Sequence, residues 1–281
     1  AAAQLARMGA SVVMACRSVE RATAAAASLP PCGGTLHPLR LDLADLASVQ
    51  QFAREFRERF GERGLHALVC NAGVPALLHQ TTEQGFEIAF GVSFVGHFAL
   101  YTSSANWDYA AFDTYPLRVR AFTSSYSDAK SALVSIASAV YGDEMRCMMY
   151  GGEVLLAAAL RTRGVESCSV NPGAVDSDIW RYWSRPVRGA LRVVARAIFL
   201  TPEQAAMVCI APILSAEPEK DLYLSPYWVP NFLPFLDLAG PFVGARPTLS
   251  KPEYVGVDQM GADAERLWQW GEALLNAAQV S

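Results

Sequence analysis

SVVMACRS at 11–18, taken with LHPLRLD at 36–42 and HALVCNAG at 66–73, decides the fold. SVVMA is a short apolar run that predicts a buried strand, and the other two runs begin as strands of similar length. Upstream, AAAQLARMG at 1–9 is a helix tail that ends at a glycine cap. After Cys16-Arg17-Ser18 an Ala-rich helix extends to about residue 28. Asp45 is placed to cap the amphipathic segment LASVQQFAREFRERFG. Strands alternating with helices imply an α/β chain whose parallel sheet is covered on both faces.

In such sheets ligands sit at the carboxyl ends of the strands. Arg17 follows the first strand, where a guanidinium can meet a ribose 2′-phosphate bidentately. Asp42 closes the second, placed to accept from an adenine amine or a loop N–H. Asn71-Ala72-Gly73 closes the third, and small residues there let backbone approach a ribose or ring. Each has a plainer reading: a solvated arginine, a helix-capping aspartate, a simple turn. Together they fit a dinucleotide groove better.

Further on, Tyr126-Ser127-Asp128-Ala129-Lys130 opens an apolar helical run. Residues four apart share a helix face, so the phenol and ammonium project together. The ammonium favours phenolate and draws the tyrosine from about 10 toward the range of a working general acid/base. A packed Tyr126 beside a solvated Lys130 is the alternative. With ten tyrosines and three lysines in the chain, one such pair by chance is not rare.

The totals narrow the class. The 281 residues are 52% hydrophobic and 18% charged, enough for a sizeable core, and one domain over 1–281 is expected. A net charge of -4 without a Lys/Arg cluster argues against a nucleic-acid partner. The six cysteines are scattered, with no Cys-x-x-Cys and no His pair at metal spacing, so buried thiols and no metal are expected. No apolar run reaches the roughly 18 residues of a membrane-spanning helix. An intracellular location, cytoplasmic or organelle-associated, is the expectation, with any targeting segment outside the sequence.

Arg17 after a strand, Asp42, Asn71-Ala72-Gly73, Tyr126-x-x-x-Lys130 and Asn171-Pro172-Gly173 stand in the order seen in short-chain dehydrogenases/reductases, which the chain resembles. ACRS at 15–18, GHF at 96–98 and AERLWQWGEALLN at 264–276 look most like the retinol-dehydrogenase and WW-domain-oxidoreductase branch. Protochlorophyllide reductases share parts of the pattern. The resemblance implies a Rossmann-type doubly wound parallel sheet, NADP(H), and hydride transfer to or from a carbonyl. It makes Tyr126 the proton donor or acceptor at the substrate oxygen, and Lys130 the group that lowers its pKa and holds the nicotinamide ribose. It also implies a serine some two dozen residues before the tyrosine, at a strand end, usually the second of two. Ser103-Ser104 fits that description and Ser104 takes the role, whereas Ser124 and Ser125 lie too close to Tyr126. The implied cofactor contacts are Arg17, Ser18, Asp42, Leu43, Asn71, Ala72, Gly73, Pro172, Gly173, Val175 and Ser177, besides Tyr126 and Lys130.

Four departures follow from the same resemblance. The opening strand and Gly-x-x-x-Gly-x-Gly loop are absent ahead of Ala1, so the sheet is expected to be incomplete at the N-terminus and to lack its pyrophosphate cradle. Only Tyr101 and Thr102 separate GHFAL from the Ser103-Ser104 pair, so most of a helix and a strand is expected to be missing near 100–101. Ser93 stands where relatives carry an asparagine that props the lysine through a water. Lys130 is unusually far from Asn171, placing an insertion around 140–154. Truncation or mis-splicing is the expected origin.

The region 176–250 is expected to cap the substrate. Its part LYLSPYWVPNFLPFLDLAGPFVG at 222–244 is too proline-rich for a regular helix and leaves a lipophilic pocket, a peripheral membrane contact or a homodimer contact open. Thr201-Pro202-Glu203 starts a helix to about 213. The function expected is NADP(H)-dependent interconversion of a hydrophobic alcohol and its aldehyde or ketone, of retinoid, steroid or other lipid type. A non-catalytic remnant or interaction protein is the alternative, and light-driven reduction of a tetrapyrrole a lesser one.

Overall fold

The computed structural model describes residues 1–74, 80–105, 120–124, 158–165, 167–170, 175, 200–214, 223–226, 247–249 and 260–280. These fall into two compact units. The first comprises Ala1–His66, Leu78–Leu117 and Ala273–Ser281, and the second Ala67–Leu77 and Arg118–Glu272.

In the first unit, α1 (Ala2–Arg7) leads through Gly9, whose φ of 92° only glycine adopts freely, into β1 (Ser11–Cys16). Helix α2 (Val19–Ala27) connects β1 to β2 (Thr35–Arg40), and the strands pair in parallel from Ser11 opposite Thr35 to Cys16 opposite Arg40. Gly34 N–H donates to the Ala6 carbonyl at 2.9 Å, and a Cβ on Gly34 would lie 2.2 Å from the Ala10 oxygen. A glycine is therefore required where β2 begins. Strand β2 stops short of the expected 36–42 because the chain turns at Asp42. Its Oδ1 accepts from Ala44 N–H at 3.0 Å, while its own N–H donates to Ser48 Oγ at 3.0 Å.

Helix α3 (Leu46–Phe60) starts as its sequence predicts, with Asp45 Oδ1 accepting from Ala47 N–H at 2.9 Å. Its buried face carries Leu46, Val49, Phe52, Ala53 and Phe56, the spacing of one helical stripe. A second stripe belongs to the continuous helical stretch formed by α4 (Ile88–Phe90), a π turn (Gly91–Val95) and α5 (Gly96–Ala105). Phe86, just ahead of it, and Phe90, Phe94 and Phe98 within it lie four apart, with successive ring centroids 6.0, 5.7 and 5.6 Å apart. Phe98 is fully buried, a burial worth about 1.5–3 kcal/mol. Gly96 lets α5 close on the turn after β2, since a Cβ would come within 2.4 Å of the Leu43 oxygen.

At Ser103-Ser104 the structure differs from the expected strand end. Helix α5 continues through Ser103 and Ser104, so these serines are helical and close no strand. The next strand, β4 (Arg120–Ser124), lies beyond them. The run GHFALYTSSA propagates the helix it begins in, and the strand is built by RAFTS.

The second unit holds a five-stranded sheet in the order β3-β4-β5-β6-β7. β3 (Ala67–Cys70), β4, β5 (Ser167–Val170) and β6 (Tyr223–Pro226) are parallel, and β7 (Pro247–Leu249) joins antiparallel. Among the described residues, neither the second edge of β1 nor that of β3 has a partner strand. Helix α6 (Pro202–Leu214) begins with a reciprocal cap: Gln204 N–H donates to Thr201 Oγ1 at 3.3 Å, and Thr201 N–H donates to Gln204 Oε1 at 2.9 Å. Helix α7 (Met260–Val280) is fastened by Arg163, whose Nη2 lies 2.9 Å from Glu265 Oε2 and whose guanidinium stacks 4.0 Å from the Trp268 ring centroid. The expected insertion at 140–154 and the expected cap over 176–199 lie outside the described residues. Parallel strands, crossover helices and this order make the chain a Rossmann-type α/β fold.

Candidate active site

Functional groups collect at the carboxyl ends of strands in each unit. In the first unit, β1 delivers Cys16 and then Arg17 and Ser18. Arg17 is exposed, and its side chain has no ion pair or hydrogen bond among the described residues. Ser18 caps α2: its Oγ accepts from Arg21 N–H at 3.2 Å and donates to Glu20 Oε2 at 2.9 Å. Glu20's own backbone N–H, then the Ser18 hydroxyl, hold its carboxyl below the ordinary range. The Cys16 thiol is pushed up, first by burial and then by the Glu20 charge, so it stays protonated at neutral pH.

At the end of β2, Asp42 is half-buried and spends one carboxylate oxygen on the Ala44 N–H. This is the loop-bracing role, one of the two foreseen for it. Leu43 is buried, leaving its backbone as the part a ligand can meet. An arginine ends β2 as well: Arg40 is exposed and stands opposite Cys16 in the register. Sequence reasoning passed over it, although its place at the end of an apolar strand is itself a signal.

In the second unit, three adjacent parallel strands end together. Cys70 pairs with Thr123, and Ser124 pairs with Val170. Ser124 therefore closes the middle strand, between the ends that lead into Asn71-Ala72-Gly73 on one side and Asn171 on the other. Asn71, Ala72 and Gly73 are exposed. Sequence reasoning set Ser124 aside for lying too close to Tyr126, and the alternation of RAFTS ahead of it was the available clue to its strand end. Ser104 instead lies in the last turn of α5. Val175 is half-buried and bridges to Leu200 in parallel, packed against Leu200 and Ala205. Tyr126, Lys130, Pro172, Gly173 and Ser177 lie outside the described residues.

Ser93 sits in the π turn, and its buried Oγ has no hydrogen-bond partner among the described residues. Its carbonyl is 3.1 Å from His97 Nδ1. Among the described residues there is no cluster of His, Cys, Asp and Glu that could hold a metal ion. Among them, too, no helix is long and apolar enough to cross a membrane.

The short chain dehydrogenase family profile matches residues 1–106. Mouse (Mus musculus) retinol dehydrogenase 13 is 44% identical over 103 residues, covering 35% of this chain and 30% of that protein. The chain thus spans under a third of the relative it matches there. Mouse polyprenol dehydrogenase is 32% identical over 245 residues, covering 78% of this chain and 68% of that protein. Among solved structures, an alcohol dehydrogenase from Thermococcus sibiricus, complexed with 5-hydroxy-NADP, superposes with a TM-score of 0.58 at 19% identity, covering 82% of this chain and 92% of that one.

Proposed function

Because the chain belongs to the short-chain dehydrogenase/reductase family, on its retinol dehydrogenase-like branch, we propose that it is an NADP(H)-dependent oxidoreductase interconverting a hydrophobic alcohol and its aldehyde or ketone. The observation that carries the cofactor choice is Arg17, exposed and unengaged among the described residues at the end of β1. A guanidinium there meets a 2′-phosphate with two parallel hydrogen bonds. An acidic residue, which would favour the free ribose hydroxyl, does not end the strand. The relatives' names point to lipophilic alcohols, retinol and polyprenol, which supports a retinoid, steroid or other lipid-like substrate.

When bound, the cofactor supplies or accepts a hydride at its nicotinamide ring. In the reductive direction the substrate carbon takes the hydride, and the substrate oxygen keeps the electron pair of the broken C–O π bond. Tyr126 gives that oxygen a proton, and Lys130, four residues along, lowers the cost of the phenolate left behind. Ser124 is our choice for the hydroxyl that steadies the oxygen, because it ends the middle of three parallel strands.

A second reading follows from the same strand end. If Ser124-Ser125 is the serine pair, a tyrosine two dozen residues further on is Tyr150, which has Val154 where Tyr126 has Lys130. The test is turnover of NADPH with retinal and with long-chain aldehydes by the 281-residue chain, its Tyr126→Phe variant and its Tyr150→Phe variant. Turnover abolished by Tyr126→Phe alone supports the first reading, and loss confined to Tyr150→Phe supports the second. A folded chain that turns over none of these substrates supports the non-catalytic alternative.

A further inference from the structure

We propose that Arg40, on the neighbouring strand, is a second determinant of phosphate recognition at the site of Arg17. The proposal rests on the NADP(H) reading and deepens it. The parallel register sets Arg40 opposite Cys16, the residue immediately before Arg17. Leu41 N–H donates to the Cys16 carbonyl at 3.0 Å, so the two strands remain paired up to the point where both arginines stand. Paired strands lie about 4.8 Å apart. Arg40 leaves β2 level with Cys16, one residue before the point at which Arg17 follows β1.

Both side chains are exposed, and neither makes a salt bridge or hydrogen bond among the described residues. Burial of Leu39 on the opposite face of β2 fixes which way Arg40 points. Arg21 adds a third cation one turn into α2. The acid in the first turn of α2 is Glu20, whose carboxylate accepts from Ser18 Oγ at 2.9 Å and also feels the Arg40 charge. Arg40 thus lies within electrostatic reach of the first turn of α2.

Three cations against the two carboxylates of Glu20 and Asp42 leave this strand end net positive in a chain whose net charge is -4. A phosphate monoester carries about -1.5 to -2 at neutral pH and presents three acceptor oxygens, more than one fork can satisfy. A ribose hydroxyl in its place is neutral and gains little from either arginine. Arg40 accordingly separates phosphorylated from unphosphorylated ribose, while adding nothing to the rest of the dinucleotide.

The test is fluorescence titration of the full chain, and of Arg40→Ala, Arg40→Lys and Arg17→Ala, with NADPH, NADH, adenosine 2′,5′-bisphosphate and ADP. We expect Arg40→Ala to weaken NADPH and adenosine 2′,5′-bisphosphate by about 10-fold or more, with NADH and ADP unchanged. Arg40→Lys should recover part of the loss, and the steepness of NADPH binding against salt should fall in Arg40→Ala. If Arg17→Ala erases the NADPH preference and Arg40→Ala leaves it intact, Arg40 has no such role and the cofactor reading stands. A native chain with no preference for NADPH overturns both.

Discussion

The two sheets are built from the same kind of strand and end in residues of different chemistry. The β1–β2 pair ends in arginines and a braced aspartate, groups that recognise charge. In the β3–β4–β5 trio, β3 leads into Asn71 and β4 ends in Ser124, small polar groups suited to an uncharged oxygen or ring, while β5 ends in Val170. On the proposed reading, the first strand end sorts cofactors and the second accommodates the chemistry. The contrast shows how a single rule, ligands at strand carboxyl ends, yields two functions by changing only the residue after the last ladder bond.

The comparison is broken most severely at the serines. Ser124→Ala or Ser125→Ala should lower kcat by about 10²-fold or more with little change in NADPH affinity, the size expected when a positioned hydroxyl is lost from a developing oxyanion. Ser104→Ala, in the last turn of α5, should do far less. Steady-state kinetics on the three variants checks this, and the reverse order would restore Ser104 as the orienting residue.

Next in size is the packing that shapes the first unit. Gly34→Ala would press a Cβ to 2.2 Å from the Ala10 oxygen, and Gly96→Ala would press one to 2.4 Å from the Leu43 oxygen. Each should cost about 1–3 kcal/mol in denaturant unfolding. Neutral substitutions would mean that β2 and α5 sit less closely on their neighbours than described.

In the second unit the corresponding anchor is Arg163. Arg163→Ala removes the stack on Trp268 and the ion pair with Glu265, and should cost about 1 kcal/mol in the same experiment. The smallest effect concerns pH. The Arg163 hydrogen bond holds the Glu265 carboxyl below its ordinary 4.5. A lowered carboxylate pKa stabilises the fold above 4.5, and the benefit disappears as pH falls through the lowered value. The acid-side loss of thermal stability should therefore be shallower in Glu265→Gln than in the native chain, and identical acid limbs would show that the pair contributes nothing.

Legibility in the sequence followed the same division. In the first unit local signals agree: Asp45 caps α3, Gly9 closes α1, and the phenylalanines of α3 recur at helical spacing. These features act over a few residues, so they survive reading without the fold. The second unit was read less well because its sheet pairs residues far apart in the chain, as Cys70 with Thr123 and Ser124 with Val170. Ser103-Ser104 and Ser124-Ser125 are the same dipeptide, and nothing within either says which ends a strand. Helix propagation from Gly96 carries the first through α5, and pairing of RAFTS between β3 and β5 brings Ser124 to a strand end. Arg40 escaped for the same reason, since its neighbour Cys16 is a partner only across the ladder.

Hydrogen exchange of the 281-residue chain, alone, with adenosine 2′,5′-bisphosphate and with NADPH, tests this division of labour most directly. The account predicts that the bisphosphate slows exchange at the amides of 16–18 and 42–44 alone. NADPH should slow those and, in addition, the amides of 71–74 and the one that follows Ser124. Protection of the second set by the bisphosphate, or no protection of it by NADPH, would contradict the account.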